Sequence, residues 1–589
     1  MPSPDESPIE PPREREEAST INRHARWWIV LEVVAFVGLC YLYASAPAPA
    51  VNEAHYLIKA KNFWDSSFCS NDFFVTSGKA HTTFYWLFGW PTLFFSLSTT
   101  AWLGRLVAWA MLGFGLQQCC QRLRLPVFSS AIVAILWIAG IQAGNFAGEW
   151  VIGGIEGKVP AYGLALVGLS RVMERQWKQA WIWFGMSSAF HVLTGGWCVV
   201  AATICYVVTE RGSTWLQRLR LPLAGEPQSS PERFFSWQLF AGGAIALFGL
   251  VPAVLLMRGV SPEDATMAAH IYGSFRLPHH LLPTRFPTLW YLRFSALVVL
   301  LLCFFPRRDR GTASGGANHN VDNANGAAVR LFYFAMATLL IAGCGLMIGY
   351  SYKWNPDFAV KLSRYYWFRL SDAIVPLTAA LLIIRWLSES RTNESRTIWL
   401  DLLAKGSIAL GVVIFVVGTV HSARIGIPKS CRHRYLGIIN EDGAGIQRKR
   451  FADWLTLCDW VRIATPEDEV FITPRQQQTF KWYAQRAEVV NWKDVPQDAQ
   501  SLLQWKQRYD HLFQRQLGDL TYYNVRVPID YRKLKDLRDT YGVRFMVVDN
   551  RVVSPFTEVD QLPLIKVYPV GEQQNDTFSV YELPYHGER

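Results

Sequence analysis

Apolar residues in this chain gather into long blocks instead of recurring with the 3.6-residue period of soluble amphipathic helices, and the charged residues fall between the blocks. Blocks of this length predict helices that cross a membrane. The first, Trp27–Tyr43, follows a long polar lead and reads as an uncleaved anchor; a cleaved signal peptide is the weaker reading. Further blocks cover Ala101–Gln118, Val127–Gly144, Val159–Leu169, Ala180–Leu193, Gly196–Val208, Trp237–Met257, Thr288–Phe305, Leu331–Tyr350, Ala373–Trp386 and Ile398–Val420, which with the anchor makes about eleven crossings.

Two shorter elements lie in the loop 46–84. Glu53–Trp64 places Ala54, Leu57, Ile58, Ala60 and Phe63 at helical spacing and predicts a short helix along the membrane interface. Phe84–Leu97 is aromatic and interrupted by Pro91, so it predicts an interfacial or re-entrant element. After His421 the pattern changes to that of a small α/β domain. Helices are expected over Phe451–Ile463, Gln476–Ala484 and Tyr531–Thr540, with strands over Glu469–Ile472, Glu488–Asn491, Phe545–Val548, Ile565–Tyr568 and Phe578–Tyr581. No nucleotide-binding glycine pattern accompanies them. The expected layout is therefore a disordered tail (1–26), an α-helical polytopic membrane domain (27–420) and a C-terminal α/β domain (421–589).

Composition agrees: 51% of the 589 residues are hydrophobic and only 18% charged. A net charge of +11 raises the question of nucleic acid. The basic residues instead form short clusters at block ends, such as Arg122 and Arg124, Arg171 and Arg175, Arg218 and Arg220, Arg307, Arg308 and Arg310, and Arg391 and Arg396. These are topology determinants; a nucleic-acid partner is not expected. Together with Arg23 and Arg26 they put the amino terminus in the cytoplasm, and the loop 46–84 and the α/β domain outside the inner membrane. Gly311–Ala328 is expected to be a flexible inner linker. Seven cysteines lie in or beside apolar blocks; Cys69, Cys431 and Cys458 lie outside, where one disulfide is the minority reading.

Polar side chains concentrate in segments expected on the outer face. The loop 46–84 holds Glu53, Asp72 and His81; EWVIGGIEGK holds Glu149, Glu156 and Lys158; HVLTGGW starts at His191; Arg258–Arg285 contains Arg276, His279 and His280; Lys353–Asp372 contains Arg364 and Arg369. Carboxylates facing arginines suit a reaction in which an acceptor is deprotonated while a phosphate leaves. Arginine's planar fork matches phosphate oxygens. Each residue also has a plainer use. Glu53 and His81 could cap helices, and Asp72 could make an Asx turn. Glu149 and Glu156 could pair with Lys158, His191 could bond between helices, and Arg364 and Arg369 could anchor at the interface. His279 and His280 complete no metal spacing, and no metal ligand set is assigned.

The order anchor, Asn52-Glu53-Ala54-His55-Tyr56, interfacial helix, Asp72-Phe73-Phe74, His81, Phe84-Tyr85-Trp86 and a span bearing Arg105 resembles the amino-terminal module of GT-C-type membrane glycosyltransferases. A related group of bacterial multi-pass proteins is similar in its Glu156-Gly157-Lys158 segment, its His191 to Gly195 turn and its Thr465-Pro466 to Thr473-Pro474 motif. The resemblance implies transfer of a sugar from a polyprenyl-phosphate donor to an extracytoplasmic acceptor of unknown identity. Glu53 would be the base or acceptor-orienting carboxylate, with Asp72 as partner directly or through a divalent metal (Mg or Mn) and His81 beside them. Glu149, Glu156, Lys158, His191 and Arg276 would contact substrate, and Arg364 and Arg369 would hold the donor phosphate. Asn52 stands where the first acid of the family's pair often lies, which passes a carboxylate role to Asp72 or Glu149. The rival readings are a lipid-linked substrate transporter or flippase, and a scaffold that recruits partners through its α/β domain.

Overall fold

Long apolar blocks become long helices, and most of the chain is helical. The computed structural model describes residues 12–212, 233–306, 319–389, 397–436, 443–523, 531–550 and 564–583. Arg218, Arg220, Arg307, Arg308, Arg310, Arg391, Arg396 and positions 311–318 of the expected linker lie outside these residues.

Five helices are long and apolar enough to cross a membrane: Val192–Arg211, Trp237–Leu255, Ala324–Lys353, Arg369–Glu389 and Ile398–Ile425. Trp27–Tyr43, Ser129–Gly144 and Thr288–Cys303 are apolar but shorter. Helices also cover the remaining blocks, as α5 (Leu97–Arg122), α7 (Lys158–Met173) and α8 (Trp177–Phe190). The long helix α5 carries the buried polar residues Arg105, Gln117 and Gln118, which lower its apolar character.

Small residues let these helices approach. A Cβ on Gly185 of α8 would stand 2.2 Å from the carbonyl oxygen of Gly242, and one on Gly242 would stand 2.4 Å from the carbonyl oxygen of Trp181. That contact is open only to glycine, the usual solution where backbones pack in lipid. Arg369–Glu389 runs through the middle of the bundle and is buried over nearly its whole length. By contrast Trp237–Leu255 and Ile398–Ile425 expose most of their apolar side chains, as lipid-facing helices do.

Two expectations of irregular structure are corrected. Helix α1 begins at Pro12 and runs to Tyr43, into the segment expected to be a disordered tail. Proline suits a first helical turn, and the Glu/Arg-rich run behind it consists of good helix formers. The helix that ends at Tyr350 begins at His319, so part of the expected linker is its first turns. In the loop 46–84, α2 (Glu53–Trp64) forms where expected. The aromatic stretch breaks into α4 (Thr82–Gly89) and a 3-10 turn (Trp90–Leu93) at Pro91, leaving Trp86, Trp90 and Phe94 exposed.

The C-terminal region is a five-stranded sheet in the order β2-β1-β5-β7-β6. Its strands are β1 (Val470–Ile472), β2 (Ala487–Glu488), β5 (Phe545–Asp549), β6 (Ile565–Tyr568) and β7 (Phe578–Glu582), with a separate hairpin of β3 (Gln514–Leu517) and β4 (Leu520–Tyr523). β1 pairs in parallel with β2 and β5; β7 runs antiparallel to β5 and β6. Four of the five expected strands are present; in place of the one expected over Glu488–Asn491 stands the two-residue Ala487–Glu488, which shares only Glu488 with it. The expected helix over Gln476–Ala484 shrinks to Phe480–Tyr483, and the helix Ala499–Phe513 was not anticipated. Its signal was available: Leu502, Trp505, Tyr509 and Leu512 recur at helical spacing and are buried, and Asp498 caps the start by accepting from Ser501 N. All ten cysteines are free, so the minority disulfide does not form.

Candidate functional site

The loop 46–84 is tied to the bundle through Glu53. Arg105 Nε and Nη2 donate to Oε1 and Oε2 of Glu53, each at 2.6 Å, while the Ile155 amide donates to Oε1 at 2.7 Å and the Ala50 amide to Oε2 at 2.6 Å. Four donors fill the four lone-pair positions of the carboxylate, which is 1% exposed. Arg105 also donates to the carbonyl of Ala46 at 2.9 Å and lies against the Trp102 ring. Glu53 is therefore not free to take a proton from an acceptor. It is a buried counter-ion that fixes residues 46–53 and the 154–155 backbone, where a Cβ on Gly154 would collide with its carboxyl carbon at 2.6 Å.

That pinned backbone leads into a connected polar chain. Asn52 Nδ2 donates to Glu156 Oε2 at 2.8 Å. Lys158 Nζ stands 3.0 Å from Glu156 Oε1 and 2.9 Å from Glu149 Oε1. Both are ion contacts, and Glu149 Oε1 has the ammonium as its neighbour with no other donor among the described residues. Arg369 Nε donates to Glu149 Oε2 at 3.0 Å, and Arg369 Nη1 donates to His191 Nε2 at 3.0 Å. On the other side of the ring, His191 Nδ1 caps the following helix by accepting from Thr194 N at 3.2 Å and lies 3.0 Å from Thr194 Oγ1. His81 stacks on His191 with ring centroids 5.6 Å apart, and its Nε2 meets the Tyr56 hydroxyl at 3.3 Å. Burial, followed by the charges of His55 and Arg369, pushes the His81 imidazole down to about 3 and keeps it neutral.

Local structure explains this convergence. The segment 145–157 joins two helices and is held from both sides. Asp372 accepts from the amides of Phe146 and Ala147 at 2.8 and 2.9 Å, His280 Nδ1 approaches the carbonyl of Ala147 at 2.5 Å, and Gly148 turns the chain at φ +76°. Arg369 opens the helix Arg369–Glu389, with its guanidinium over the Tyr366 ring at 4.0 Å. Asn52, Tyr56, His81 and Arg369 are half-buried, whereas Glu149, Glu156 and Lys158 are buried behind them.

Asp72 belongs elsewhere. Its Oδ1 caps a short helix by accepting from Val75 N at 2.8 Å, and its Oδ2 accepts from Glu488 N at 3.0 Å and lies 3.3 Å from Lys481 Nζ. Lys481 also contacts Glu488 at 2.5 Å and Asp494 at 2.6 Å, and Asp494 reaches His55 at 3.5 Å. Burial opposes the charge on Lys481, yet the three carboxylates hold it well above the usual lysine range. Burial likewise raises Glu488, with Asp494 and Asp72 adding to the effect against Lys481. This cluster docks the α/β domain on the loop 46–84, and Asp72 is no partner of Glu53.

Of the remaining expected residues, Arg276 is buried, donates through Nε to the carbonyl of Trp492 at 2.9 Å and lies over the Trp492 ring. Burial pulls it down to about 10. Arg364 ends the helix Pro356–Ser363, half-buried and without an acidic partner among the described residues. Six of the ten expected residues, His81, Glu149, Glu156, Lys158, His191 and Arg369, share one chain of contacts; Glu53 stands behind it, and Asp72, Arg276 and Arg364 stand apart. Sequence reasoning missed the part played by Arg105, although a charge in an apolar block is a recognised signal. It also missed Lys481 and Asp494, whose importance depends on docking.

A family model described as a domain of unknown function (DUF6798) matches residues 452–512, which contain Lys481, Glu488 and Asp494. No curated protein matches the chain. Among solved structures the chain is similar to ArnT from Cupriavidus metallidurans bound to undecaprenyl phosphate, at 10% identity and a TM-score of 0.46, over 95% of this chain and 98% of that one. It is also similar to the archaeal oligosaccharyltransferase AglB from Archaeoglobus fulgidus in complex with an inhibitory peptide and a dolichol-phosphate. There the identity is 11% and the TM-score 0.38, over 90% of this chain and 70% of that one. With identities this low and TM-scores below 0.5 neither likeness carries an argument, and the chemistry has to be argued from the residues described above.

Proposed function

We propose that this chain is a glycosyltransferase that moves a sugar from a polyprenyl-phosphate donor to an acceptor outside the cytoplasm. In this reading it crosses the inner membrane about eleven times, with residues 1–26 inside and 421–589 outside. The observation that carries the proposal is the buried pair Glu149 and Glu156 bridged by Lys158, with Arg369 and two neutral histidines in contact on the half-buried side. Glu149 takes the base role, as the carboxylate of the pair that touches Arg369 on the half-buried side. It removes the proton of an acceptor hydroxyl or amine as that atom bonds to the anomeric carbon. The bond from that carbon to the phosphate oxygen breaks, and the polyprenyl phosphate leaves with the electron pair. Arg369 meets the growing phosphate charge, and Arg364, which stands apart from that chain of contacts, is assigned a second contact to the donor phosphate.

The test is transfer from labelled lipid-linked sugars by the purified chain. Glu149→Gln should lower kcat about 100-fold or more, the usual range for loss of a general base. Unchanged transfer by that variant would remove the base assignment.

A further inference from the structure

The family resemblance leaves room for a divalent ion between carboxylates, and the residues present do not fit one. Glu53 already has four donors. Asp72 is committed to Val75, Glu488 and Lys481. Glu149 and Glu156 do converge on a single point, but the Lys158 ammonium occupies it at 2.9 and 3.0 Å. Among the described residues no group of three or more His, Cys, Asp or Glu side chains is placed to hold an ion. A Mg or Mn ion would need oxygens at roughly 2.0–2.2 Å and would repel an ammonium held in the same gap.

We infer that Lys158 is the site's built-in cation: its ammonium joins Glu149 and Glu156 where a divalent ion would otherwise sit, and the site works without a bound metal. This rests on the carboxylate pair of the proposed site and not on which reaction that pair serves. The charges agree, because Glu149 and Glu156 are matched by Lys158 and Arg369 with no further cation required. The Trp150 ring lies 4.1 Å from Lys158 Nζ and offers the ammonium a cation–π face that a hydrated divalent ion would not use. Asn52 holds the far oxygen of Glu156, so the bridge is oriented from both ends.

Manganese binding tests this independently of sugar transfer. The full-length protein in detergent is titrated with Mn2+ and bound metal is read by electron paramagnetic resonance, for wild type, Glu149→Gln and Lys158→Ala. Wild type should take up no Mn2+ that Glu149→Gln removes, and Lys158→Ala should gain affinity by at least about tenfold, a gain lost when Glu149→Gln is added. Wild-type uptake abolished by Glu149→Gln overturns the inference, as does a folded Lys158→Ala protein with no gain. Should Lys158→Ala not fold, the wild-type comparison with Glu149→Gln decides alone. A metal-free wild type that transfers no sugar counts against the proposed function and leaves Lys158 as the cation.

Discussion

Two buried lysines sit among carboxylates in this protein, and their surroundings separate structure from chemistry. Lys481 is closed in by Asp72, Glu488 and Asp494 at the junction of the α/β domain with the loop 46–84, and its side chain is 1% exposed. Its acids have their remaining oxygens satisfied by backbone and side-chain donors, including Thr473, Asn491 and Val75. Lys158 bridges only two acids, one of which has the ammonium as the sole described neighbour of an oxygen, and half-buried polar groups stand beside it. A saturated cluster resists exchange with a substrate, while an under-satisfied one is held ready for an added donor. The α/β domain is thus joined to the loop at its core, and the partner-recruiting module considered from sequence would have to act through this same joint.

The comparison can be broken by substitution. The largest effect is expected at Lys481→Met, which leaves three buried carboxylates without a cation and should cost about 3–5 kcal/mol, seen as a lower Tm. Glu53→Gln removes the charge that holds Arg105 and should cost about 3 kcal/mol; the fraction that remains folded should keep its transfer rate. A parallel loss of kcat in that folded fraction would return Glu53 to the chemistry.

A graded effect, small near neutral pH, comes from pH. His81 is held near 3 in the folded chain against 6.5 when free, so the unfolded chain binds the extra proton between those values. Its contribution is fully present above pH 6.5 and falls as pH drops toward about 3, by about 1.4 kcal/mol per pH unit for one proton. His81→Phe should flatten the dependence of Tm on pH by that one proton. The smallest effect on stability is expected at Arg364→Ala, with Tm within about 1 °C of wild type and KM for the lipid donor raised about three- to tenfold. An unchanged KM would take Arg364 out of the phosphate path.

The sequence carried much of this site because polar residues in apolar surroundings are conspicuous. Glu149, Glu156, Lys158, His191 and Arg369 stand at the ends of apolar blocks, and the pairing of both glutamates with Lys158 was legible as a plain alternative to their roles in substrate contact. The role of Glu53 was not legible, since a lone acid at a helix start reads the same whether its oxygens are free or saturated. Asp72 was misplaced for a related reason: its partner Lys481 lies more than 400 positions away, and only docking brings the two to 3.3 Å.

By itself the sequence determined the elements: apolar length and strand alternation dictate helices in a bundle followed by a small sheet, because burial of side chains acts locally along the chain. The tertiary structure alone decided which charges are neutralised and by how many donors. That depends on donors from distant segments meeting within 3 Å, as Arg105 meets Glu53 and Arg369 meets Glu149, and hydrogen bonding at that range has no trace in composition or period.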